Sequence, residues 1–281
     1  MISEAPPVLS APDPAPPVAR WRSILMVLAL LVMPPLLGLV GESRTGATPD
    51  AVALPPTVSG LLQVCMLNAV LFLVLAAGVA ALGRPSWAEL WARSRCGWQA
   101  WALGLGYSVA FRIGLGVLLT AAVSFKALVL FFQGKKLESL EGFRPQIENM
   151  LDPTVLRDPV YLLLVTTVVS FVVAGLREEL WRAAVFAGLE RWRRGILSTW
   201  KGRALASALA AVVFGIGHLP QGISGVFLTG TLGFGLGLIM LGHRSLWVAV
   251  LAHGFFNATS FVLLRVVDAA GLLDQVIGGR P

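Results

Sequence analysis

A chain of 281 residues that is 56% hydrophobic and only 13% charged lies outside the soluble-domain averages of about 45 to 50% and about 25%. This excludes an ordinary soluble globular domain and points to a polytopic membrane protein. The net charge of +7 does not call for a nucleic-acid partner, because Lys and Arg fall in short clusters between apolar runs, as cytoplasmic loops do.

Residues 1–21 form a Pro-rich tail with little charge, a composition that predicts disorder. The first apolar run, Ile24 to Val40, follows Arg20 and Arg22 and reads as an uncleaved span that Pro34 and Pro35 should kink. A second span is expected from about Val58 to Leu82 and a third from about Trp98 to Ser124. Trp87, Trp91, Trp98 and Trp101 gather between them, as in an interfacial aromatic belt. Arg112 inside the third span either answers an acid elsewhere or snorkels to the interface. Residues 22–132 thus read as N-terminal transmembrane helices, and 133–158 as a mixed amphipathic connector.

The fourth span runs from near Tyr161 to about Trp192. It is too long for one straight crossing of about 20 residues, which predicts two helical pieces broken at Ala174-Gly175. The loop from Arg191 to Arg203 carries five basic residues and reads as cytoplasmic. Counting back from it places the N-terminus on the same side. Spans five (Ala204 to His218), six (Ile223 to Leu241) and seven (Leu246 to Val267) follow, with residues 268–281 as a C-terminal tail. Span six holds one G-x-x-x-G, a sign of close helix approach. Cys65 and Cys96 offer neither a disulfide framework nor a zinc cluster. The fold class is all-α: a polytopic bundle of about seven spans with a membrane-embedded polar cavity.

The chemistry concentrates in residues 159–267. Glu178, Glu179 and Arg182 follow directly on the apolar run Val160 to Ala174. A charge at the bilayer centre costs about 2.5 to 3.5 kcal/mol or more, so this cluster must face protein or water. On a helix Glu178 lies roughly 40° from Arg182 on one side and Glu179 roughly 60° on the other, and the guanidinium can reach either. His218 closes span five, and His253 with Asn257 occupy one face of span seven at i, i+4. A carboxylate at low dielectric suits a general base acting on water, while imidazoles and an amide can hold that water and stabilise an oxyanion. Hydrolysis of an amide bond is the natural chemistry. A zinc-assisted version is the alternative, ranked second because there is no H-E-x-x-H and the two histidines sit on different spans. No other cofactor is called for.

The ordered set Glu178-Glu179 with Arg182, Phe214-x-x-x-His218 and His253-x-x-x-Asn257 resembles the three motifs of the CPBP intramembrane endopeptidases, which include the type II CAAX prenyl proteases and the Abi or bacteriocin-immunity proteins. The resemblance covers roughly residues 159–267. It implies a glutamate-dependent peptidase whose site opens toward the cytoplasm. A glutamate would be the base, His218 and His253 with Asn257 would bind water and oxyanion, and Arg182 would position the acid pair. The family's first motif is usually E-E-x-x-x-R, whereas two residues separate Glu179 from Arg182 here. Anchoring on the acidic pair makes Glu178 the base. Anchoring on Arg182 puts Arg177 at the first acidic position and pairs Glu178 with the arginine. Glu178 is taken as the base and Glu179 as the alternate.

The expected protein is therefore an integral protein of the plasma or inner membrane with its N-terminus cytoplasmic, acting on a peptide or membrane-protein substrate near the bilayer surface. The competing reading is a non-enzymatic immunity-type or partner-binding protein, or a small transporter, using the same buried polar cluster.

Overall fold

Backbone in hydrocarbon must satisfy its own hydrogen bonds, so each long apolar run closes into helix. The computed structural model describes residues 20–45, 54–92, 96–135 and 150–272, with side chains only to residue 32 in the first of these segments. Residues 1–19 of the Pro-rich tail, residues 136–149 of the amphipathic connector and residues 273–281 of the C-terminal tail lie outside the described residues, as do the Pro34 and Pro35 side chains. Seven long helices carry the described chain: α1 (Arg20–Thr45), α2 (Val58–Leu82), α3 (Gln99–Phe132), α4 (Pro159–Trp192), α5 (Trp200–Ile216), α6 (Gly222–His243) and α7 (Leu246–Ala269). No strand occurs among the described residues. The fold is an all-α polytopic helix bundle.

Among the described residues five stretches are long and apolar enough to cross a membrane: Val58–Leu82, Gln99–Phe132, Pro159–Trp192, Leu219–His243 and Leu246–Ala269. α5, with 17 residues, reaches only about 25 Å at 1.5 Å per residue, short of a hydrocarbon core of about 30 Å. The outward faces of α2 and α3 are apolar and exposed, with Met66, Leu67 and Leu73 on one and Ile113 and Val117 on the other. Those are lipid-facing surfaces, and they complete the description of an integral membrane protein.

α4 and α7 form the centre. α4 starts at Pro159, with the Asp158 carboxylate accepting from the amides of Val160 and Tyr161 at 2.8 and 3.2 Å. The sequence predicts a break at Ala174-Gly175; instead the helix is continuous, with a π-helical stretch from Val165 to Leu176 between α-helical ends. Wider i→i+5 turns absorb the excess length that the sequence suggested would be spent on a break. The Ser170 hydroxyl donates to the Val165 carbonyl at 2.6 Å, five residues back, which ties the wide turn internally. α1 packs on the second half of α4 through Met26, Val27 and Leu30, and the Trp181 indole donates to the Leu30 carbonyl at 2.8 Å.

α3 continues two turns beyond the expected Ser124, so Phe131 and Phe132 end this helix. Arg112 neither snorkels nor meets an acid. Its guanidinium reaches α7, donating to the Phe256 carbonyl at 2.7 Å and to the hydroxyls of Thr259 and Ser260 at 2.6 and 3.2 Å. Of the tryptophan cluster, Trp87, Trp98 and Trp101 are exposed, whereas Trp91 turns inward against Phe186, with ring centroids 6.3 Å apart.

The glycines of α6 set its distance from α4 and α5. A Cβ at Gly233 would stand 2.7 Å from the Phe214 ring and 3.3 Å from Nη2 of Arg182. One at Gly237 would stand 2.8 Å from the Ser207 hydroxyl. The G-x-x-x-G face therefore admits both α5 and the Arg182 guanidinium.

Candidate active site

α4 begins its final α-helical section at Arg177, which sets Glu178, Glu179 and Arg182 on the first turn and a half. The two glutamates part company there. Glu179 is fully buried, and its Oε1 forms an ion pair with Nη1 of Arg182, also fully buried. The same oxygen accepts a hydrogen bond from Nδ1 of His253, across the α4 to α7 contact, at 3.0 Å. Glu178 keeps 18% of its side chain accessible, and its Oε1 pairs with Nη2 of Arg177 at 2.7 Å. Its Oε2 stands 3.9 Å from Nε2 of His253. One imidazole thus lies between both carboxylates. Arg182, which could reach either acid on helix geometry, pairs with Glu179.

His218 comes in from the end of α5. Its Nδ1 donates to the Phe214 carbonyl one turn back at 2.8 Å, since a carbonyl can only accept. Nε2 is the ring nitrogen outside that bond. The Phe214 ring packs edge-on against both histidines, 4.6 Å from His218 and 5.9 Å from His253, and lies 5.1 Å from the Arg182 guanidinium. Glu178 and His218 line one cavity of about 320 Å³, together with Asn68, Leu71, Phe72 and Leu75 of α2 and Arg177, Trp181, Val213, Phe214 and Gly217. Its wall is mostly apolar with a few convergent polar groups, the usual make-up of a small-molecule or peptide site.

Five of the six residues singled out from the sequence therefore gather: Glu178, Glu179, Arg182, His253 and His218. Asn257 does not join them. It is half-buried one turn beyond His253, its side chain has no hydrogen-bond partner among the described residues, and it is absent from the cavity wall. Two residues at the site were not singled out as members of it. Arg177 figured only as a question of motif register, and Asn68 carried a signal that was available, an amide in the middle of an apolar span.

Residues 160–259 match the model of a family described as type II CAAX prenyl endopeptidase Rce1-like. Over that segment the chain is similar to the CAAX protease family. No curated protein and no solved structure matches the chain. The matched residues take in Glu178, Glu179, Arg182, His218 and His253, the whole of the polar cluster, and Asn257 beside it, while Asn68 lies outside the match. Over residues 160–259 the chain is thus similar to CAAX-protease-like intramembrane endopeptidases, a family of membrane location and peptide substrates.

Proposed function

We propose that the protein hydrolyses a peptide bond with a water activated by Glu178, and that Glu179, Arg182 and His253 hold that glutamate's surroundings in place. The observation that carries the reading is the division of labour within the acid pair. Glu178 faces the cavity shared with His218, whereas Glu179 is sealed between a guanidinium and an imidazole.

With Nδ1–H of His253 committed to Glu179, its neutral ring presents a lone pair at Nε2 toward the Glu178 carboxylate. Two acceptors facing each other across 3.9 Å are satisfied by one water that donates a hydrogen to each, after a small outward movement. Both hydrogens of that water are then occupied, and its oxygen lone pairs point at the substrate. In the reaction Glu178 takes one proton as the water oxygen bonds to the peptide carbon, and the carbonyl π pair moves onto oxygen. Collapse of that intermediate breaks the C–N bond, and Glu178 returns the proton to the departing amine. With Nδ1–H kept on the Phe214 carbonyl, His218 would donate to the oxyanion from Nε2 only as an imidazolium that has taken a second proton from solvent; Asn257, whose amide has no partner among the described residues, would join it if the last turns of α7 shift.

Zinc would need Glu178, His253 and His218 as ligands. Among the described residues no three His, Cys, Asp or Glu side chains group as metal ligands, and the Arg182 cation already holds Glu179.

The loops carrying the positive clusters meet at one end of the bundle, where Arg191 pairs with Glu89 and the Leu246 amide donates to the Trp91 carbonyl at 3.1 Å. That favours a cytoplasmic location for this end, with the N-terminus on the same side and the protein in the plasma or inner membrane. The test is cleavage of a farnesylated CAAX peptide by the purified full chain in detergent, beside Glu178→Gln, Glu179→Gln and His218→Ala. Equal rates for all four proteins would end the peptidase reading.

A further inference from the structure

α2 lies outside the family-matched segment and buries little besides Leu61, yet it places one polar side chain against the site. Asn68 donates through Nδ2 to the Val64 carbonyl one turn back at 2.9 Å, which fixes the way its amide faces. Its Oδ1 accepts from Nη1 of Arg177, and Nη2 of the same guanidinium donates to Oε1 of Glu178 at 2.7 Å. Arg177 and Glu178 are neighbours in sequence, and side chains at i and i+1 of a helix diverge by about 100°. The Asn68 carbonyl oxygen sits on the other nitrogen of that guanidinium, where it can draw the cation across toward Glu178.

We propose that Asn68 and Arg177 act in series as positioning residues for Glu178, so that α2 is part of the catalytic unit. The inference rests on the peptidase reading given above. The relay distinguishes the two oxygens of one carboxylate. Oε1 is clamped by Arg177, and Oε2 is thereby left facing His253 as the proton acceptor. A free glutamate has three rotatable bonds, and holding it in one arrangement removes an entropic cost from the chemical step.

The test uses the full chain in detergent with the farnesylated CAAX peptide as probe. Asn68→Leu keeps the size of the side chain and suits a lipid-exposed helix, so it should leave the melting temperature near that of wild type. It should lower kcat about tenfold to a hundredfold with KM within about twofold, the signature of a misaligned group and not of weaker substrate binding. Asn68→Asp keeps an acceptor oxygen facing Arg177 and should recover most of the loss. Arg177→Gln should cost at least as much as Asn68→Leu, and the double variant no more than Arg177→Gln alone, because members of one relay are not additive. Wild-type kcat in Asn68→Leu, beside an inactive Glu178→Gln, would overturn the relay and leave the peptidase standing. Additive losses without recovery in Asn68→Asp would overturn it as well. Equal activity of wild type and Glu178→Gln, or no cleavage by either, would overturn the peptidase reading and the relay with it.

Discussion

His253 and Glu179, 74 residues apart in the chain, are joined by a 3.0 Å hydrogen bond from Nδ1 to Oε1 that locks the centre of α7 to the centre of α4. Because the same oxygen pairs with Arg182, one buried carboxylate organises a cation and an imidazole. Its neighbour Glu178 is left to face the cavity.

That arrangement separates stability from chemistry. Removing one partner of a buried ion pair costs about 3 to 5 kcal/mol, since the other charge stays behind unpaired. Arg182→Met should therefore lower the melting temperature in detergent sharply. Glu178→Gln should leave that temperature near wild type and reduce kcat by about a hundredfold or more, the scale of a lost general base. Thermal denaturation beside peptide cleavage checks both, and an Arg182→Met protein as stable as wild type would contradict the structure.

Gly233 and Gly242 lie on one helix but meet different surroundings. A side chain at Gly233 would press on Phe214 and Arg182, whereas among the described residues nothing lies within 4 Å of a Cβ at Gly242. Gly233→Val should destabilise by about 1 to 3 kcal/mol through overpacking and abolish cleavage. Gly242→Ala should be neutral or slightly stabilising, since alanine is the better helix former. Melting curves of the two variants decide.

Glu89 ties the loop after α2 to the end of α4. Its carboxylate takes both Nε and Nη2 of Arg191, at 2.7 and 2.6 Å, and the Ser86 amide at 2.7 Å. Partial burial alone would push this carboxyl up, but the bonds from Arg191 and Ser86 outweigh it and hold it below its usual range. A carboxyl depressed in the folded state contributes stability above its unfolded pKa and loses it as the pH falls through the folded value. Stability should decline on acidification below about pH 4.5. Glu89→Gln should flatten that decline and be the less stable protein at neutral pH. Melting temperature against pH for the two proteins is the check.

Chelation gives the last prediction. If the carboxylate activates water unaided, dialysis against a strong zinc chelator leaves kcat within about twofold, and added zinc does not raise it. Loss of activity on dialysis, restored by zinc, would assign Glu178 and the histidines to a metal.

Much of this site could be read from the order of residues, because charge inside apolar runs is expensive and therefore conspicuous. Glu178, Glu179, Arg182, His218 and His253 stand out for that reason, and helix spacing puts them on usable faces. Which glutamate pairs with Arg182 could not be read. Both lie within its reach on the helix, and the choice depends on His253, which approaches from another span. Asn68 passed unnoticed because a neutral amide perturbs an apolar run less than a charge does, and its partner lies 109 residues away. Arg112 shows a third limit. Its partners are a carbonyl and two hydroxyls, groups present on nearly every helix, so the sequence cannot name them.

The wide turns from Val165 to Leu176 have a consequence for how this protein can vary. Each residue there advances the helix by a smaller angle than in an α-turn, so the direction in which Glu178 and Glu179 point is counted out by the number of residues upstream. Swapping one aliphatic side chain for another in that stretch changes little, whereas adding or deleting a single position would turn the acids away from His253. Descent should therefore tolerate changes of letter in this segment far better than changes of length.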